Sequence, residues 1–85
     1  MRQEKLYAAI KNNPKNVRFA DLCRLAEAFG FIRRGGKGSH CVYVRRGVAE
    51  IMNFQNVSGR VKPYQVRQFL GVIEKYQLGL EKGGD

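Results

Sequence analysis

The chain has 85 residues, a length that suits one domain and buries only about 60–65% of its unfolded surface, so a single small domain with a compact core is expected. A hydrophobic fraction of 44%, with four Tyr and five Phe, excludes a disordered polar chain. Sixteen Lys and Arg against seven Asp and Glu leave a formal charge of +9, whose self-repulsion an anionic partner would relieve.

No apolar run approaches the roughly 18 residues of a membrane span, and "MRQEKLYAAIKNN" lacks the apolar centre of a secretory leader, so a cytoplasmic protein without a membrane partner is expected. Cys23 and Cys41 form no CxxC pair and read as small apolar groups rather than a disulfide. With one histidine in the chain, an all-protein Cys/His zinc site lacks its fourth ligand, and no metal or cofactor is expected.

In chain order, Leu6, Ala9 and Ile10 predict a short first helix that ends ahead of Pro14. Residues 1–17 read as this leading helix and its connection. Leu22, Leu25, Ala26 and Phe29 follow at i, i+3, i+4 and i+7, with Asp21 in the first turn and Gly30 placed to cap the end, so a second helix is expected there. Residues 31–34 can begin a strand. "SHCVYVRR" and "VAEIMNF" read as two further strands joined by a tight "RRG" connection. "QNVSGRVK" reads as a polar loop. Pro63 then opens a third helix carrying Val66, Phe69, Leu70, Ile73 and Tyr76 on one face, and Gly71 within it hints at close packing. Residues 79–85 read as a flexible tail. The expected architecture is a single α+β domain over 1–85, with a three-stranded antiparallel sheet, two helices on one face and an extra N-terminal helix.

Charge is uneven along this plan. Residues 33–67 carry Arg33, Arg34, Lys37, Arg45, Arg46, Arg60, Lys62 and Arg67 against Glu50 alone, a concentration that favours nucleic acid or an acidic protein as partner. Gly35, Gly36 and Gly38 around Lys37, with Ser39, fit both an anion-holding nest of backbone N–H groups and a plain glycine-rich turn with a solvated lysine. His40 begins a strand, pointing to one face with Val42 and Val44 while Cys41 and Tyr43 point to the other. A Cys41–His40 dyad is thereby disfavoured, and no acid lies near enough in sequence to complete a triad. An imidazole, whose ordinary pKa is about 6.5, can by itself exchange a proton with a ribose or phosphate-ester oxygen. RNA brings its own nucleophile, the 2′-hydroxyl. On these residues alone, a structural or merely exposed histidine is favoured over a catalytic one.

Gly30-Phe31 closing a helix, a short turn, and Gly38-Ser39-His40 opening a strand resemble the HicA family of toxins from toxin–antitoxin pairs, over about residues 18–76. The resemblance implies an αβββα fold like that of double-stranded-RNA-binding domains within a core of residues 18–78. It implies a metal-independent mRNA endoribonuclease, with His40 as catalytic residue presented by Gly38 and Ser39. It also implies inhibition by a HicB-like antitoxin that covers the histidine. Charge and proximity suggest Arg33, Arg34 and Lys37 as phosphate clamps and Arg45, Arg46, Arg60 and Lys62 as contacts to the RNA backbone. Tyr43 and Tyr64 are candidates for base stacking, with packing as their ordinary alternative. A non-catalytic RNA-binding module of similar fold is the rival reading.

Overall fold

The computed structural model describes residues 2–81. Its elements run α1 (Gln3–Asn12), β1 (Val17–Arg18), α2 (Phe19–Ala28), β2 (Ile32–Gly35), β3 (His40–Val44), β4 (Met52–Gln55), β5 (Arg60–Val61) and α3 (Pro63–Lys75). This is a small α+β unit with three helices and an antiparallel β2-β3-β4 sheet, and β1 and β5 form a second, two-stranded ribbon. None of the helices is long and apolar enough to cross a membrane among the described residues.

Local chemistry explains where the helices end. At the end of α2, Gly30 at φ +88° lets its own N–H reach Glu27 O at 3.0 Å while the Phe31 N–H reaches Ala26 O at 3.0 Å. Those two bonds are a Schellman cap, and the accompanying apolar residue Phe31 is buried. The Gly30-Phe31 pair is therefore a helix stop that turns the chain into β2. α3 closes in the same way, with Leu78 N–H on Ile73 O at 2.9 Å and Gln77 at φ +52° in the place of a glycine. Pro63 begins α3, where its missing N–H costs nothing.

The core lies between one face of the sheet and the pair α2 and α3. Cys41 and Tyr43 of β3 and Met52 and Phe54 of β4 point into it, meeting Leu22, Leu25, Val66, Phe69 and Ile73. Phe69 is the hub: its ring meets Phe31 at 5.4 Å, Phe54 at 5.7 Å and Phe29 at 6.2 Å between centroids, all edge-on. Such arrangements set the positive ring edge against a neighbour's negative face and add to the burial itself. α1 extends this core with Leu6 and Ile10, and Tyr7 stacks edge-on against Phe29 at 5.0 Å.

Four expectations are corrected. The strand after β3 does not follow a tight connection. Arg45–Val48 does form a turn, with Val48 N–H on Arg45 O at 3.1 Å and Gly47 at φ +84°, but pairing resumes only at Met52. Residues 49–51 are held elsewhere: Glu50 accepts from Lys75 Nζ and from the Tyr76 hydroxyl, each at 2.7 Å. These hydrogen bonds hold the Glu50 carboxyl down at about 2, below the usual carboxylate range. The expected polar loop at 55–62 contains a hairpin, because Ser58 and Gly59 both take positive φ and Val57 and Arg60 exchange two backbone hydrogen bonds, the pattern of a type I′ turn. Its return strand pairs Val61 with Val17 and Arg60 with Arg18. The chain at 79–81 is anchored, with Leu80 against the core and Glu81 N–H on Ala28 O at 2.7 Å; residues 82–85 lie outside the described residues. Gly71 meets nothing, since a Cβ there would have no atom within 4 Å.

Gly71→Ala therefore removes backbone freedom from the unfolded chain without a clash. It is expected to stabilise the fold by about 1 kcal/mol. A thermal melt checks this, with a rise of about 4–8 °C for a domain of this size.

Candidate functional site

The open face of the sheet, opposite the helices, carries His40, Val42 and Val44 from β3, each half-buried. β3 and β4 pair His40 with Gln55, Cys41 with Phe54, Val42 with Asn53 and Tyr43 with Met52. Asn53 and Gln55 consequently share the face of His40. At the other end of this face Ile32, paired with Val44, is 61% exposed, and Ile51, just ahead of β4, is 62% exposed. The face thus has a polar end at His40 and an apolar end about 13 Å along the strand, at the usual rise per residue.

Three features hold the polar end. First, Lys37, Gly38, Ser39 and His40 form a β-turn in which His40 N–H reaches Lys37 O at 3.0 Å and Gly38 takes φ +60°. Second, Asn56 N–H donates to Ser39 O at 2.7 Å, carrying the β3–β4 ladder one residue into that turn, and the Asn56 carboxamide accepts from Gly59 N–H at 2.6 Å. The type I′ hairpin and the Gly38-Ser39 turn are therefore tied together. Third, Gly36 lies against the start of β3. It takes φ +121°, and a Cβ on it would stand 2.2 Å from His40 O and 2.9 Å from Cys41 Cα. Among the three glycines around Lys37 this is the one that no other residue can replace, because the obstacle is backbone.

His40 Nδ1 lies 3.3 Å from Asn53 Oδ1. β4 in turn is fixed from outside by Gln65 of α3, whose carboxamide donates to Asn53 O at 3.0 Å and accepts from Gln55 N–H at 3.0 Å. Gln65 is buried, and it satisfies the outer edge of β4 as a neighbouring strand would. Neither Asn53 nor Gln65 was singled out from the sequence, because their relation to His40 depends on strand register. Among the described residues no three His, Cys, Asp or Glu side chains converge as a metal site.

The cations divide by position. Arg33, Arg34 and Lys37 are exposed, on the edge strand β2 and in the turn before His40. Arg33 pairs across to Tyr43 and so takes the inward face of the sheet rather than that of His40, against its expected place as a clamp, and Arg34 lies at an irregularity of the β2–β3 register. Lys62 is exposed at the start of α3, next to Tyr64, which is 60% exposed and one residue from Gln65. Arg60 is exposed but engages the Asn16 side chain. Arg45 and Arg46 follow β3 at its far end, so Arg45 is roughly 16 Å from His40 along the strand. Arg45 Nε donates to Phe29 O at 2.8 Å and its Nη1 to Arg46 O at 3.1 Å, and the guanidinium faces Glu81 at 3.9 Å. Arg45 is thus a cap on the end of α2, whereas Arg46 is exposed.

Tyr43 takes the packing alternative. It is 2% exposed and its hydroxyl donates to Glu27 Oε2 at 2.8 Å, so it has no face free for a base. Burial pushes its phenol well above the ordinary tyrosine range, and the bond to Glu27 acts in the same direction. Cys23 and Cys41 are free thiols on this inner side, and burial pushes Cys23 up to about 11. Cys23 is therefore no nucleophile near neutrality, since the thiolate is the reactive form.

In comparisons with known proteins, no family model matches the chain, and neither a curated protein nor a solved structure matches it significantly.

The two glycines of the turn give a direct test of its construction. Gly36→Ala is expected to cost about 2–6 kcal/mol from backbone strain and overpacking together. Gly38→Ala, with open space around it, costs about 1–2 kcal/mol from positive φ alone. Urea unfolding of both variants distinguishes this from a loosely held loop, in which the two losses would be equal.

Proposed function

We propose that the protein is a metal-independent endoribonuclease acting on mRNA, a toxin of the HicA kind built on a double-stranded-RNA-binding-like αβββα scaffold behind an extra helix. The observation that carries this reading is the chain's one histidine, half-exposed on the open sheet face, behind a basic turn that lies against β3 at Gly36 and is hydrogen-bonded to Asn56. The Gly30-Phe31 and Gly38-Ser39-His40 resemblance supports it, with the first pair serving as a helix cap and the second as the turn into β3.

In this reading a phosphodiester lies over the polar end of the face. His40 accepts the proton of the ribose 2′-hydroxyl as the bond from that oxygen to phosphorus forms. The bond from phosphorus to the 5′-oxygen breaks, the departing oxygen takes up a proton from water, and a 2′,3′-cyclic phosphate remains. Lys37 and Arg34 offset the negative charge that gathers on the phosphorane oxygens, and Arg33, whose partner Tyr43 faces inward, is left to more distant contacts. Arg46 and Lys62 contact more distant phosphates, and Tyr64 offers a ring for a base. A HicB-like antitoxin would inhibit by covering this face, and exposed Ile32 and Ile51 together with exposed arginines suit a partner that is acidic and partly apolar.

Incubation of wild type and His40→Ala with a long RNA in excess EDTA tests the proposal. Wild type is expected to cleave, and the variant to lose about 10²–10⁴ in rate while still folding and binding RNA. Intact RNA bound equally by both proteins would make the face a contact surface and favour a non-catalytic RNA-binding module. Arg34→Ala and Lys37→Ala are expected to weaken binding and lower the slope of log K against log salt by about one each. Unchanged slopes in a salt titration would remove these two residues from the phosphate site.

A further inference from the structure

Among the described residues, the carboxamide of Asn53 is the one polar side chain brought to a ring nitrogen of His40, and no residue near His40 in the sequence announces it. Neutral imidazole has one nitrogen that donates and one that accepts, and which is which follows from the bond that the fixed nitrogen makes. Asn53 Oδ1 accepts only, so at 3.3 Å it selects a proton on Nδ1. Nε2 then carries the lone pair that can accept a proton.

Asn53 itself is held from behind. Its carbonyl accepts from Gln65 Nε2 at 3.0 Å, and two residues on, Gln55 N–H donates to the other end of the same carboxamide at 3.0 Å. Gln65 is buried in the first turn of α3, a helix whose Phe69 is the hub of the core. A rigid line therefore runs from the core through Gln65 and β4 to Asn53 and ends on the ring of His40.

Resting on the ribonuclease reading, we propose that Asn53 is the positioning residue of the site, holding His40 as its Nδ1–H tautomer so that Nε2 is the base that meets the 2′-hydroxyl. Asn53 does this without charge. An aspartate in the same place would add a full negative charge to a site that must receive a phosphodiester, and a neutral acceptor avoids that repulsion. It also explains how the site works without the acid that the sequence around His40 lacks: orientation of the ring, rather than a second titrating group, is what the missing partner would have supplied.

The test uses the whole protein labelled with ¹⁵N, and reads the two imidazole nitrogens at a pH where His40 is neutral. Wild type is expected to show the Nδ1–H pattern. Asn53→Ala is expected to lose it, turning toward the Nε2–H form. Asn53→Asp keeps an acceptor in place and is expected to restore it. In single-turnover RNA cleavage, Asn53→Ala is expected to lower the rate at saturation about tenfold or more, with half-saturation unchanged, because Asn53 touches the ring and not the RNA. An Nε2–H pattern in wild type, or an Asn53→Ala protein with the wild-type tautomer and rate, overturns the proposal. Both variants lie on an exposed strand position, and their amide spectra report whether the fold is kept. The tautomer is read without RNA. A wild-type protein that shows Nδ1–H, and loses it in Asn53→Ala, but leaves RNA intact supports the positioning contact and overturns the ribonuclease reading alone.

Discussion

The pairing of Tyr43 with Met52 decides which side of the sheet every residue of β3 and β4 occupies, and the rest of the molecule follows from it. With those two side chains inward, Cys41 and Phe54 are inward as well, and Phe54 reaches Phe69 to complete the aromatic centre. The same alternation turns His40, Asn53 and Gln55 outward together. A slip by one residue would send Asn53 into the core and Met52 out to solvent, because the side-chain period of a strand is two. The polar end of the open face therefore exists because the opposite face is apolar and closely packed.

That register is secured from three directions. Gln65 closes the outer edge of β4, Asn56 extends the ladder to Ser39, and the Glu50 contacts with Lys75 and Tyr76 take up the slack of the long connection before Met52. Gln65 and Glu50 do this with polar side chains and Asn56 with its backbone N–H, each satisfying a group that would otherwise face water or go unpaired. The same economy sorts the basic residues. Arg45 and Arg60 are engaged with neighbouring chain, while Arg33, Arg34 and Lys37 stay exposed near the turn that leads into His40. Net charge alone did not separate these two groups, since a guanidinium that caps a helix and one that awaits an anion look alike in a list of residues.

The helices were legible because their signals are local: apolar spacing for α1, α2 and α3, Gly30 for the end of α2, Pro63 for the start of α3. The open or inward placement of His40 was legible only as a choice of two. β3 reads His-Cys-Val-Tyr-Val, apolar on both faces, so alternation does not say which set is buried. A three-residue connection at 45–47 would pair Val44 with Val48 and hence His40 with Met52, placing histidine, Val42 and Val44 with the core residues of β4. The longer connection instead pairs His40 with Gln55, three residues further on, and an odd shift exchanges the faces. The Ser58-Gly59 pair joins strands only two residues long on one side and a single bridge on the other, too short for alternation to mark them as a hairpin.

The sequence by itself determined the α+β class, the three helices, the sheet's membership and the presence of one histidine behind a basic glycine turn. Those features depend on residues within a turn or two of one another, where spacing, caps and backbone freedom act directly. Tertiary structure alone decided which face of β3 is open, which arginines are engaged, that Gly36 rather than Gly38 presses on the strand, and that Asn53 lies beside His40. Each of these depends on contacts between segments far apart in the chain, set by how the aromatic core around Phe69 packs, and no local pattern encodes the outcome of that packing.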